Sequence, residues 1–243
     1  MAGHSKWANI KHKKEKTDAQ RAAVFTKIGR EIAMAVKAGG GDPNTNSKLR
    51  DVITKAKANN IPNDNIERSI KKALGGEGAN YESVTYEGYG PSGVAVMVET
   101  STDNRNRTAG EMRHYFDKFG GNLGQSGCVA FLFSEKGVIV VLHEDAKDEL
   151  ALMEAALEAG ATDFETEDEA YVIYTEPDDL YSVRSALESA GYRIESAEKD
   201  KIPSTYVRLE NEEEIRKMSL LLEHLENNDD VVEVYHNWEN FRE

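Results

Sequence analysis

A single cysteine, five prolines and no long apolar run set the first bounds on this 243-residue chain. Cys128 alone excludes an intramolecular disulfide framework and a cysteine-based zinc site. It sits in the apolar run GCVAFLF, where the thiol reads as a small buried hydrophobe rather than a nucleophile. No stretch approaches the roughly 20 apolar residues that cross a bilayer, and the opening residues lack the apolar core of a signal peptide. The expected location is cytoplasmic, with no membrane partner. Histidine offers no ligand set either, since His4, His12, His114, His143, His224 and His236 share no metal-ligand spacing. No P-loop, nucleophile elbow or paired catalytic acid and base stands in a recognisable setting. No metal, cofactor or catalytic residue is expected, and the chain does not read as an enzyme. One spelling imitates a nucleotide motif, Gly88-Tyr89-Gly90-Pro91-Ser92-Gly93. A dinucleotide fingerprint needs a helix N-terminus directly behind it. Here the strand-like run VAVMV follows, so the glycines read as a hairpin turn.

What the chain does have is charge, unevenly placed. Its net charge is −14, yet residues 1–75 hold 16 Lys and Arg against 7 Asp and Glu. A basic first third on an acidic chain points to a polyanion partner, with the acidic remainder left to solvent or protein. Phosphate backbones are the commonest such polyanion, because each neutralised phosphate releases condensed counterions. Lys6, Lys11, Lys13, Lys14 and Lys16 crowd around Trp7 in the opening residues, with almost nothing to bury. Such a segment is expected to order on a partner. Trp7 is free to stack on a base or fill a pocket, the alternative being that it tucks onto the first helix.

From Asp18 the spacing turns helical. Val24, Ile28, Ile32 and Val36 share one face, with Lys27, Arg30 and Lys37 on another. Gly39-Gly40-Gly41 ends this helix, and Asp42-Pro43 reads as cap and first-turn proline of a second one carrying Leu49, Val52, Ile53 and Ala56. Asn59-Asn60-Ile61-Pro62 breaks that helix before a third over 63–74, with Ile66, Ile70 and Leu74 inward and Arg68, Lys71 and Lys72 outward. Beyond the hinge Gly75-Gly76-Glu77-Gly78 the alternation changes. Strands over 83–89 and 93–100, a helix over 108–119 and a strand over 128–133 give β-β-α-β. Residues 137–202 read as β-α-β-β-α-β, the ferredoxin-like order, with Leu150, Met153, Ala156 and Leu157 on one side of the first helix. A strand over 205–209, a helix over 212–225 and a strand over 231–235 then complete the earlier sheet.

The expected fold class is therefore α+β: an N-terminal three-helix domain followed by two α/β domains, the ferredoxin-like one inserted in the other. The boundaries are 1–75 for the basic helical domain and its tail, 80–133 plus 205–243 for the discontinuous domain, and 134–204 for the insert. The insert carries 19 acids against 6 bases, so it is expected to repel phosphate and to face solvent or a protein partner.

The stretch Ser101-Thr102-Asp103-Asn104-Arg105-Asn106-Arg107-Thr108 lies at a strand-to-helix junction. Thr108 reads as an N-cap, with Glu111 three residues on completing a capping box. Arg105 and Arg107 beside helix amides can hold a phosphate or carboxylate. The alternative is that they pair with Asp103 and Glu111 and brace the junction.

MAGHSKW at 1–7, FTKIGREI at 25–32, GGGDP at 39–43, NNIP at 59–62, YEGYGPSG at 86–93, DNRNRT at 103–108 and GGNLG at 120–124 together resemble the YebC/PmpR family. The likeness covers essentially the whole chain; one departure is Ser92, where many relatives have Gly. The resemblance implies a non-enzymatic regulator of gene expression with a helical N-terminal domain and two α/β domains. It implies nucleic acid as partner, either ribosomal RNA on the ribosome or DNA. Some similar proteins are labelled DNA-binding transcriptional regulators. Others, including a mitochondrial translational activator, act on ribosomes and ease stalling at proline-rich sequences. The residues expected to contact nucleic acid are Lys6, Trp7, Lys11, Lys13, Lys14, Lys27, Arg30, Lys37, Arg105 and Arg107. The ribosome is the favoured target, because a basic tail and separate domains suit an irregular RNA–protein surface. A duplex reader usually shows one recognition element and two-fold symmetry.

Overall fold

A computed structural model describes Trp7, Ile10 and residues 18–76 and 80–241. Three helices open it: α1 (Asp18–Gly39), α2 (Ser47–Ala58) and α3 (Asn63–Leu74). Their apolar positions recur every three or four residues, and Ile28, Ile32, Ala35 and Val36 of α1 meet Leu49, Val52, Ala56, Ile61 and Ile66 in one core. The start of α2 differs from the sequence expectation. Asp42-Pro43 forms a turn, with the amides of Thr45 and Asn46 donating to the Asp42 carbonyl, and the helix begins only at Ser47. The cap is Asn46. Its side chain accepts from the Leu49 amide at 3.1 Å and donates to the carbonyls of Ala35 and Gly40, each at 2.8 Å. One buried amide thus caps α2 and closes the C-terminal end of α1.

Strands β1 (Glu82–Tyr89) and β2 (Ala95–Thr102) pair antiparallel across a 3-10 turn at Pro91–Gly93, as the hairpin reading required. Helix α4 (Arg105–Lys118) and the short strand β3 (Asn122–Leu123) follow. The same sheet recovers its fourth strand, β8 (Val231–His236), only after α7 (Glu212–Asn227), giving the antiparallel order β3-β1-β2-β8. Val94, Val96 and Val98 pack on Met112, Phe116, Met218, Leu221, Leu225 and Trp238, so α4 and α7 share one face of the sheet.

Two expected strands are absent. Residues 205–209 contribute an isolated bridge from Val207 to Trp238 rather than a strand. Residues 128–133 are not a strand of this sheet either, and the reason is Glu87. Its carboxylate is buried and accepts the amides of Gly127 at 2.7 Å, Val129 at 2.9 Å and Ala130 at 2.8 Å. Amides gathered on one carboxylate cannot serve a ladder, so the chain curls around it into a 3-10 turn at Ala130–Leu132. Burial alone would raise the Glu87 carboxyl, but these three amide bonds outweigh it and hold the group below its ordinary value.

The insert has strands β4 (Phe133–Leu142), β5 (Asp163–Thr166), β6 (Ala170–Thr175) and β7 (Ser196–Pro203) in the antiparallel order β5-β6-β4-β7. Helices α5 (Glu149–Ala159) and α6 (Leu180–Ser189) cover one face through Leu152, Ala156, Leu180, Val183 and Leu187. This is the ferredoxin-like arrangement. The inward face of α5 is a correction: Leu152 is fully buried, whereas Leu150 and Leu157 are 67% and 51% exposed. Phe133–Ser204 with Trp7 and Ile10 belong to one compact unit, and the helical head, the discontinuous sheet and α7 belong to another.

Candidate nucleic-acid interface

The residues singled out at 103–108 are organised by an aspartate far away in sequence. Asp230 is 4% exposed and lies just before β8. One of its oxygens accepts from Arg30 at 3.0 Å. The other accepts from Arg107 at 2.6 Å, from the Thr108 hydroxyl at 2.7 Å and from the Thr102 hydroxyl at 3.2 Å. Burial pushes this carboxyl up, but the hydrogen bonds from Arg107, Thr108 and Thr102, with the Arg107 charge, outweigh it and hold the group below its ordinary value. The end of β2, the start of α4, the start of β8 and the middle of α1 are thereby tied to one anion.

The local cap differs from the expected one. Helix α4 starts at Arg105, with Asn104 as the cap whose side chain accepts from the Arg107 amide at 3.1 Å. Thr108 is fully buried one turn inside, and Glu111 instead accepts from Asn228 at 2.8 Å. Arg107 pairs with Asp103 at 2.9 Å as well as with Asp230, so it braces the junction. Hydrogen bonds from Arg107 to Asp230 and Asp103 push its guanidinium pKa further up. Arg105 is exposed, with no ion pair among the described residues.

The cations predicted on α1 are also occupied within the fold. Lys27 donates to the Glu226 carbonyl at 2.7 Å and Arg30 to the Asp229 carbonyl at 2.9 Å. Glu226 lies in the last turn of α7, where carbonyls have no intrahelical partner and a cation is favoured by the helix dipole. Arg30 also lies 5.1 Å over the Tyr81 ring. Lys37 donates to the Asn80 side chain at 2.8 Å. Trp7 is buried in the insert's unit at 8% exposure, so neither ring face is presented to a base. Lys6, Lys11, Lys13 and Lys14 lie outside the described residues.

A second set of cations lies on α2 and α3, of which the sequence reading placed only Arg68, Lys71 and Lys72 outward. Lys48, Arg50 and Lys57 on α2, and Arg68, Lys71 and Lys72 on α3, are exposed and make no ion pair among the described residues. Arg68, Lys71 and Lys72 stand at i, i+3 and i+4, hence on one face of α3. The signal that could have found them is the buried partner face: Ile66, Ile70 and Leu74 were already assigned inward, which leaves these three for solvent. Leu74 is a correction to that reading: as the last residue of α3 it is 61% exposed. Among the described residues no cluster of three or more His, Cys, Asp or Glu could hold a metal, and no helix is long and apolar enough to cross a membrane.

Residues 5–76 match the TACO1/YebC protein N-terminal domain, and residues 81–238 match the TACO1/YebC second and third domain. A probable transcriptional regulatory protein of Acetivibrio thermocellus is 60% identical over 239 residues, covering 98% of this chain and 99% of that one. A protein of the same name from Ruminiclostridium cellulolyticum is 59% identical, covering 98% and 97%. The crystal structure of a conserved hypothetical protein from Aquifex aeolicus superimposes with a TM-score of 0.83 at 50% identity, covering 97% of each chain.

Proposed function

This chain belongs to the TACO1/YebC family, and from that premise we propose that it is a ribosome-associated translation factor that holds ribosomal RNA through its basic head. Regulation of gene expression is the coarser function that the relatives' names support. The choice of RNA over duplex DNA rests on the basic tail and separate domains, which suit an irregular surface. What supports nucleic-acid contact in this reading is the division of the head's cations. Those on α1 are occupied by carbonyls and by Asp230, while six on α2 and α3 stand in solvent without an acidic partner among the described residues. Solvated cations on a rigid bundle are a phosphate-binding surface. The lysines of residues 1–16 are further candidates for phosphate, and so is exposed Arg105. In this reading the factor eases stalling at proline-rich nascent sequences, and the acidic insert faces solvent or protein.

The names of the relatives favour a second reading, a DNA-binding transcriptional regulator using the same cations. Gradient sedimentation of tagged protein, with and without nuclease, followed by sequencing of crosslinked nucleic acid separates the two. Co-migration with ribosomal particles and crosslinks to ribosomal RNA support translation. Slow sedimentation with crosslinks at discrete promoters overturns it in favour of DNA. Charge reversal of Arg68, Lys71 and Lys72 should weaken either interaction and flatten its salt dependence by about two phosphate contacts or more.

A further inference from the structure

The insert's sheet has two apolar faces and only one helical layer. Ile139, Val141 and Ile173 point to α5 and α6. Val138, Val140, Ala170, Val172 and Tyr174 point the other way, and no helix of the insert covers them. Trp7 and Ile10 cover them instead, at 8% and 4% exposure. Both are helical and three residues apart, so they present to one side. Two carboxylates of the insert fix the orientation: the Trp7 amide donates to Glu167 at 3.1 Å and the indole Nε1–H donates to Glu169 at 3.0 Å. The segment that docks here is the one whose sequence neighbours are Lys6, Lys11, Lys13, Lys14 and Lys16.

We propose that this sheet face is a docking surface for the chain's own Trp7–Ile10 segment, and that it competes with nucleic acid for the basic tail. The tail has one aromatic anchor, its lysines lie within nine residues of that anchor in sequence, and the insert on which the anchor sits has 19 acids against 6 bases. A polyanion approaching the docked tail meets the field of those acids, so tail-bound nucleic acid and the docked tail disfavour each other. Docking would thus mask the tail until a polyanion of sufficient charge density draws it out. The inference rests on the reading that the tail lysines contact nucleic acid.

The test uses the full chain labelled with 5-fluorotryptophan, which gives two fluorine resonances because the protein has only two tryptophans, Trp7 and Trp238. A Trp7→Phe variant assigns them. Titration with a 30-nucleotide single-stranded RNA should move the Trp7 resonance to its solvent-exposed position and leave Trp238 in place. In parallel, anisotropy of the same RNA should show at least threefold tighter binding by the Glu167→Gln, Glu169→Gln double variant. The control Glu154→Gln, Glu158→Gln removes the same charge from α5 and should bind as the parent does. RNA that binds while Trp7 stays buried, with equal affinity for all three proteins, overturns the competition and leaves the RNA reading intact. Equal tightening by both double variants also overturns it, since net charge alone would then account for the gain. Absence of RNA binding by any of the three sinks the RNA reading and the competition with it.

Discussion

Replacing Asp230 by asparagine separates the charge of the hub from its shape. Asparagine keeps one acceptor oxygen for Thr102 and Thr108 but removes the charge that meets Arg30 at 3.0 Å and Arg107 at 2.6 Å. Its NH2 group must also face donors where a carboxylate oxygen accepted. A hydrogen bond to a buried charged group contributes about 1.5–3 kcal/mol net. The Arg107 end is partly solvated and is discounted, which leaves an expected loss of about 3 kcal/mol. For a unit of this size that is roughly 6–12 °C in Tm. The pH dependence has a definite sign. The folded Asp230 carboxyl lies below its unfolded value, about 3.9. Its contribution is therefore complete above that value and is lost as pH falls through the folded pKa. The assay is urea unfolding followed by the fluorescence of Trp238, which is buried in the core of the same unit, in a Trp7→Phe background. Parent and variant should differ by about 3 kcal/mol at pH 7 and converge at the most acid pH where both fold. A difference under about 0.5 kcal/mol at pH 7, or one that persists undiminished in acid, would refute the hub.

Glu87→Gln leaves one acceptor for three amides and points an NH2 group at N–H donors. The cost should be about 2 kcal/mol, with faster hydrogen exchange at Gly127, Val129 and Ala130; unchanged exchange there would show that the loop does not depend on the carboxylate. Like Asp230, Glu87 has a lowered folded pKa, so its contribution too is present above the unfolded value and lost in acid. Ser92 has φ +54, in the left-handed region, so Ser92→Gly should stabilise the hairpin by up to about 1 kcal/mol, strain relief of ~1–2 offset by glycine's unfolded-state entropy of ~0.5–1; a lower urea midpoint would contradict this. Gly121→Ala should cost about 1–3 kcal/mol, because a Cβ there runs into the Tyr89 carbonyl oxygen and comes within 3.1 Å of the Gly90 Cα; parental stability would mean that the β1–β3 pairing gives way easily.

The fold was legible where one periodicity dominated. Helix α3 spans the residues that its Ile66, Ile70 spacing requires, and the β1–β2 hairpin sits where Gly90-Pro91-Ser92-Gly93 put it. Reading failed where a side chain distant in sequence took over the local hydrogen bonds. The run 128–133 is as apolar as any strand here, but Glu87 claims its amides from 40 or more residues away. Helix α5 failed for another reason: ELALMEAALEA is apolar on nearly every side, so its sequence cannot tell Leu152 from Leu150. That distinction belongs to the sheet it lies on.

The surroundings of the candidate cations were half legible, and the division follows from reach. Residue type marks a lysine or arginine as a candidate; what it touches depends on the ends of other elements. Lys27 and Arg30 lie on the side of α1 that meets the C-terminal end of α7, where unpaired carbonyls and buried Asp230 draw cations in. Nothing in residues 18–39 announces those acceptors, which come from residues 226–230 at the far end of the chain. Arg107 was readable as brace or contact because one acid, Asp103, stands four residues before it; the second acid, Asp230, was not. Arg68, Lys71 and Lys72 needed no distant information, because the buried face of α3 already assigns them to solvent. Cations whose exposure follows from their own helix are therefore the ones sequence can nominate for phosphate. Cations on a helix that packs against a second layer need the second layer's acids before the same nomination is sound.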